Sequence, residues 1–369
     1  MSTNENKGKK AEVTALQAIS AEDRKDWISL AFVQAGICVC VPAFLLGALL
    51  AEAMPIWPAI ISGSLGYLIV VVGMVATGMI GCDLGLASCT CCQAGFGKSG
   101  ARFIVSTIFA VNMIGWFGIQ NGVCGEAFSN AMLAMTGWDI PVVVSNTIWG
   151  IIMLLTAVYG VHALEKLDKI SIPLLMIIMC YGTFLAFKVY GTGNLNDEGT
   201  VQSMSFMSGV ALSFNFTAVG TITGPDYTRF QKSRKDTVKS VFYGVFPMGV
   251  ITLIMGIVLT KLSGQYDISM VLIEVGLPLL GIIALVISTW TTNSTNAYSA
   301  GLNIVMALKL KDNRRREATL ISGIVGIVLC DLGILGHIEG VLSLLSYVVC
   351  PVGGVILADY WVVGKGKAK

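Results

Sequence analysis

From residue 28 onward the chain alternates apolar stretches of about 20 residues with short polar connections, the length a helix needs to cross roughly 30 Å of hydrocarbon. Ten spans can be read, at about 28–51, 57–81, 102–125, 142–160, 168–190, 203–223, 239–262, 278–308, 318–334 and 338–361. A membrane barrel would show alternating segments of about ten residues, so the pattern predicts an all-α integral membrane protein. The spans divide into a first five-helix unit, 28–190, and a second, 203–361, with polar tails at 1–27 and 362–369. The first tail has no early apolar core followed by a cleavage site, so no secretory signal peptide is expected.

Two spans are interrupted at matching places in the two units. The first contains VQAGICVCVPAF, with Gln34, Gly36 and Pro42 near its middle. The sixth contains SFNFTAVGTITGP, with Asn215, Thr217, Gly220, Thr221 and Pro225. An offset of five spans inverts one unit relative to the other in the membrane, which predicts a LeuT-like 5+5 inverted repeat with discontinuous first and sixth helices. Unwound backbone at mid-depth exposes carbonyls to a cation and amides to a polar substrate, whereas Gly, Ser and Thr alone can also serve close helix packing.

Two further polar features lie inside spans. In NMIGWFGIQNG of the third, Trp116 and Gln120 are four residues apart and share a helix face, a flat aromatic surface beside an amide that donates and accepts. That pairing suits a planar heterocycle. In STWTTNSTN of the eighth, Ser288, Thr291 and Thr292 share a face at spacings of three and four and can present oxygens to an ion held against the broken first span. Asn293 is expected to turn toward the neighbouring substrate space, with Thr289, Ser294, Thr295 and Asn296 left to helix packing. Among acidic residues, Asp331 and Glu126 lie near helix ends, and Asp226 in GPDYTRF is expected to fix a helix end.

Composition agrees with the pattern. The 369 residues are 55% hydrophobic and 12% charged, against roughly a quarter charged in soluble proteins. With the N-terminus inside, every Lys and Arg except Lys188 and Lys261 falls on the cytoplasmic side, so a multi-pass cell-membrane protein with both termini cytoplasmic is expected. The basic loops RFQKSRKDTVK and KLKDNRRRE read as topology determinants, not nucleic-acid patches. The ten cysteines read as reduced thiols, and CTCC at 89–92 as a packing segment, because it lacks a second cysteine pair or a nearby His. No catalytic set, cofactor motif or phosphate-cradling loop is found, so an enzyme or a directly ATP-driven pump is not expected.

GWFG in the third span, FNFTAVGTITGPDYTRF, WTTN followed by AYSAGL, and CPVGGVILADYW near the end together resemble the nucleobase:cation symporter-1 family, especially its bacterial cytosine and purine permeases. The resemblance runs in order along nearly the whole chain. It implies a bundle rocking against a scaffold around a midplane site, with Trp116 and Phe216 sandwiching the substrate, Asn293 bonding its edge, and backbone at Asn215 and Ala218 adding contacts. It places a cation between carbonyls of Gly36 and Val39 and the groups of Ser288, Thr291 and Thr292, a set of oxygens that suits Na⁺ and requires no carboxylate. No other cofactor is implied, and the partners are a nucleobase and membrane lipid, with no obligate protein partner evident.

The match departs from the family at several points. Cytosine permeases carry a Gln three residues before the Trp, where this chain has Met113 beside Asn112, while Gln120 and Gln34 resemble the hydantoin-type branch. Cytosine is the first choice, and a purine, uracil, hydantoin or allantoin remains open; Ser288, a short ligand, leaves H⁺ coupling open beside Na⁺. Relatives add two spans after the tenth, which this chain, ending at Lys369, is expected to lack. Polar positions gathered at one depth argue against a channel, and a non-transporting membrane nucleobase sensor is the alternative of a different class.

Overall fold

The computed structural model describes residues 16–196, 204–265 and 268–367; the outer parts of both polar tails and the start of the second five-helix unit at 203 lie outside the described residues. The first span is α1 (Trp27–Cys38) and α2 (Val41–Ala53), bent by 53° where they meet. The bend has a local cause: Cys40 is extended (φ −142°, ψ 158°), and Pro42 sits in the first turn of α2, where its missing N–H costs nothing. The second span is α3 (Ile56–Leu84). Short helices α4 (Ser88–Cys91) and α5 (Gln93–Gly100) lead through a π turn into α6 (Ser106–Thr136), which is followed by α7 (Val142–Val158) and α8 (Val161–Tyr190).

The second unit repeats the plan. Its first span is α9 (Phe206–Thr217) and α10 (Gly220–Thr228), followed by α11 (Arg234–Ser263), the short α12 (Ile268–Glu274), α13 (Pro278–Ala307), α14 (Arg315–Asp331) and α15 (Ile338–Leu357). The interruption between α9 and α10 is gentler than that in the first span. Ala218 and Val219 keep helical angles, and the chain tightens to bonds such as Thr221 N–H to the Ala218 carbonyl, 3.0 Å.

Side-chain exposure marks the membrane-facing surface. Ile61, Leu65, Ile69 and Val72 on α3 and Ile170, Leu174, Ile177 and Phe184 on α8 form apolar outer stripes of a size that soluble monomers do not carry. Among the described residues six helical segments are long and apolar enough to cross a membrane, or seven with the bent α1–α2 pair. The 17 residues of α7 are fewer, and the 30 of α13 carry the polar STWTTNSTN, buried at every residue except Trp290.

The two units interlock. α13 lies along α6, while α11 packs on α1, α2 and α3, and α3 also receives α9 and α10. Glycines let α11 approach the broken span closely: a Cβ on Gly256 would lie 2.5 Å from the Phe44 carbonyl, and one on Gly47 2.5 Å from that of Leu253. In a membrane such small-residue contacts are the main way backbones come together.

Two arginines of the basic loops take structural posts instead of marking an exposed loop. Arg315 is fully buried and donates to the carbonyls of Ala157 (3.4 Å) and Val158 (3.0 Å) at the end of α7. Arg229, equally buried, donates to the Tyr298 hydroxyl at 2.7 Å. Asp226 accepts the Ser88 N–H at 2.8 Å and so holds the start of α4. Cysteines 89, 91 and 92 are buried free thiols, and no cluster able to hold a metal occurs among the described residues.

Candidate functional site

The break in the first span, the α9–α10 junction and the facing stretches of α3, α6, α11 and α13 enclose a cavity of about 80 Å³. That volume holds on the order of five waters, or one small planar ring. Its wall is mostly apolar, from Tyr67, Met113, Trp116 and Phe216, interrupted by Gln34, Gln120, Thr217, Thr223, Thr292 and Asn296. No charged side chain lines it among the described residues.

Trp116 and Phe216 meet here from opposite units of the fold. Their ring centroids are 5.5 Å apart and the planes are inclined by 75°, an edge-to-face contact. The rings therefore do not stand as parallel walls around a gap. Gln34 donates to Ser240 Oγ at 3.3 Å. Its Oε1 and that of Gln120 are buried and accept no hydrogen bond from the described residues. Two such acceptors on one small cavity wall suit a ligand bearing N–H groups.

Three of the expected substrate contacts lie elsewhere. Asn293 is turned away from the cavity: its amide donates to the Phe117 carbonyl at 3.2 Å and reaches Met153 Sδ at 3.6 Å, so it fastens α13 to α6 and α7. One helical turn on, Asn296 takes the cavity-facing position and donates to Asn293 Oδ1 at 3.5 Å. The face of α13 directed at the cavity carries Thr292 and Asn296, not Asn293. Asn215 spends its carbonyl on the Ser346 hydroxyl at 3.0 Å, and Ala218 is buried outside the cavity wall.

The proposed cation ligands gather beside the cavity. Thr292 Oγ1 and Thr291 Oγ1 donate to the Gly36 carbonyl at 2.7 and 3.2 Å, and both also bond the Ser288 carbonyl, at 3.2 and 3.0 Å. Ser288 Oγ donates to the Leu285 carbonyl at 3.0 Å. Val39, fully buried, caps α1 at the break three residues beyond Gly36. The hydroxyls of Thr291 and Thr292 thus each lie within hydrogen-bond distance of both the Gly36 and the Ser288 carbonyls, hard, uncharged oxygens of the kind an alkali cation takes. Thr292 belongs to both places, since it lines the cavity and holds Gly36.

Tyr67, Tyr227 and Cys40 also line the cavity, as does Asn296, which was expected only to pack. Cys40 lies beside Gln120 and Thr292 at the break itself. The signal for it was present in ICVCVP, where the second cysteine immediately precedes the restart of the helix. Tyr67 enters from α3, and Tyr227 from α10 in the interrupted sixth span.

The description "permease for cytosine/purines, uracil, thiamine, allantoin" belongs to a family whose model matches residues 19–369. The cytosine permease of Escherichia coli strain K12 is 30% identical over 341 residues, covering 91% of this chain and 78% of that permease. Among solved structures, Mhp1, a nucleobase-cation-symport-1 family transporter in a closed conformation with bromovinylhydantoin bound, aligns with a TM-score of 0.83 at 18% identity, over 98% of this chain and 82% of Mhp1. A Na⁺-coupled sialic acid symporter in a substrate-bound outward-open state aligns with a TM-score of 0.72 at 15% identity, over 95% and 82% of the two chains. The cavity at the paired breaks, the lipid-facing apolar stripes and these matches lead to one conclusion: the chain belongs to the nucleobase:cation symporter-1 family, with a LeuT-like fold, and is a multi-pass membrane transporter, not an enzyme.

Proposed function

We propose that the chain imports a neutral planar nitrogen heterocycle, with cytosine as first choice, by symport with Na⁺ across the cell membrane, both termini facing the cytoplasm. The observation that carries this reading is the uncharged cavity in which Trp116 and Phe216 stand beside the amides of Gln34, Gln120 and Asn296. An aromatic face recognises a flat ring, and amides read a pattern of donors and acceptors on its edge. The similarity to the cytosine permease supports cytosine over a purine, uracil, hydantoin or allantoin. Sodium is supported by the neutral oxygen set around Gly36 and by the fold shared with a Na⁺-coupled symporter.

Uptake into proteoliposomes tests the proposal. Radiolabelled cytosine should accumulate under an inward Na⁺ gradient and not under a choline gradient, with adenine, uracil and hydantoin as competitors that rank the alternatives. Accumulation driven by a proton gradient alone would replace Na⁺ with H⁺. Tight binding with no uptake of any heterocycle would leave a sensor in place of a transporter.

A further inference from the structure

One buried acidic side chain next to this site has no part in the proposed symport. Asp168 lies on α8, is fully buried, and neither carboxylate oxygen accepts a hydrogen bond from the described residues. Its position is set by Gly36: a Cβ built there would lie 2.6 Å from Asp168 Oδ1 and 2.9 Å from its Cγ. The carboxylate thus rests on the α-carbon of the residue whose carbonyl receives the hydroxyls of Thr291 and Thr292. Any side chain at position 36 would strike it, so glycine there does more than permit a helix break.

The charged groups nearby in sequence are engaged elsewhere. Lys169, the next residue, donates to Ser29 Oγ at 3.0 Å and to Glu165 at 2.7 Å. Lys25 pairs with the same Glu165. An unpaired carboxylate in a membrane interior costs several kcal/mol, and intramembrane acids are retained where they serve a function. A hard cation held by the neighbouring oxygens would supply the missing partner.

We propose that Asp168 is the charged member of the cation site, completing the neutral oxygens of Gly36, Ser288, Thr291 and Thr292 so that the bound Na⁺ forms an electrically neutral unit. The inference rests on the sodium reading of that site. It adds a residue from a third helix, α8, and it departs from the expectation that no carboxylate is needed.

The test is the Na⁺ dependence of thermal unfolding of the purified full-length protein, with choline replacing Na⁺ at constant ionic strength. The wild type should be stabilised by Na⁺. Asp168→Asn should require at least tenfold more Na⁺ for the same stabilisation, while unfolding no earlier than the wild type when Na⁺ is absent, since an unpartnered charge has been removed. Thr291→Ala serves as the control for the sodium reading. A right-shifted Thr291→Ala with an unshifted Asp168→Asn overturns the role of Asp168 alone. A wild type indifferent to Na⁺ overturns both readings. Asp168→Ser covers a folding failure specific to Asn; if neither variant folds at any Na⁺ concentration, Asp168 belongs to the folding core and the proposal falls.

Discussion

At the scale of single residues, the two asparagines of α13 separate recognition from packing. Asn296 faces the cavity, whereas Asn293 bonds Phe117 and Met153. Asn296→Ala should therefore lower affinity for the heterocycle with little change in thermal stability. Asn293→Ala should do the reverse, because it leaves a buried carbonyl without its donor, at about 1–3 kcal/mol. Equilibrium binding and thermal unfolding of both variants decide the matter, and equal effects on affinity would show that the orientation changes on binding. Trp116→Ala removes the aromatic face; stacking of a base on an aromatic side chain is worth about 1–3 kcal/mol, so affinity should fall by roughly five- to 150-fold.

The residue types of the site were legible in the sequence, but their directions were not. Trp116, Gln120 and Gln34 could be chosen because each is a polar or aromatic departure inside an apolar span, whereas Phe216 was implied only by the family resemblance; all four line the cavity. In the run Thr291 to Asn296 every residue is polar, so composition carries no phase. Only the packing of α13 along α6 and α7 sets which amide points to the cavity. The span expected at 168–190 puts Asp168 at its very start, whereas α8 begins at Val161 and carries that residue about two turns inside.

At the scale of elements, the broken first helix was readable from Gly36 and Pro42, because proline restarts a helix and cannot continue one. The short helices α4, α5 and α12 were not, since four to eight residues carry too little periodicity to show. What the first span needs in order to stay broken in one place is support from α11, and glycine provides it. Gly256→Ala would push a methyl group against the Phe44 carbonyl, 2.5 Å away. Overpacking of this kind costs about 1–3 kcal/mol, and thermal unfolding of the variant should show it as a lowered midpoint.

The entry to α1 is fixed by Asp26, whose carboxylate accepts the Ser29 N–H at 2.9 Å. That hydrogen bond holds the Asp26 carboxyl below its usual value. Asp26→Ala should cost about 1 kcal/mol at neutral pH. Because the folded-state value is depressed, the stabilisation is present above the ordinary carboxylate range and is lost as the pH falls through the lowered value. The difference between variant and wild type should therefore shrink with acidification; a difference independent of pH would assign the effect to something other than the charged cap.

At the scale of the whole molecule, the proposed symport requires that two sites in different parts of the fold share a free energy. The structure places them back to back. Thr292 lines the cavity and holds Gly36, and Cys40 sits at the break beside Gln120 and Thr292. If Na⁺ raises affinity for the heterocycle, the heterocycle raises affinity for Na⁺ by the same factor. Thr291 is the residue with which to probe this, because it bonds Gly36 at 3.2 Å and does not line the cavity. Thr291→Ala should weaken heterocycle binding at low Na⁺ and return to wild-type affinity once Na⁺ saturates. Trp116→Ala should be weak at every Na⁺ concentration, with Na⁺ affinity unchanged when no heterocycle is present. The two families of binding curves distinguish a ligand that acts through the shared wall from one that acts on it directly. A Thr291→Ala deficit that persists undiminished at saturating Na⁺ would mean that the hydroxyl shapes the cavity itself, and that the two sites are not linked through the Na⁺-dependent step.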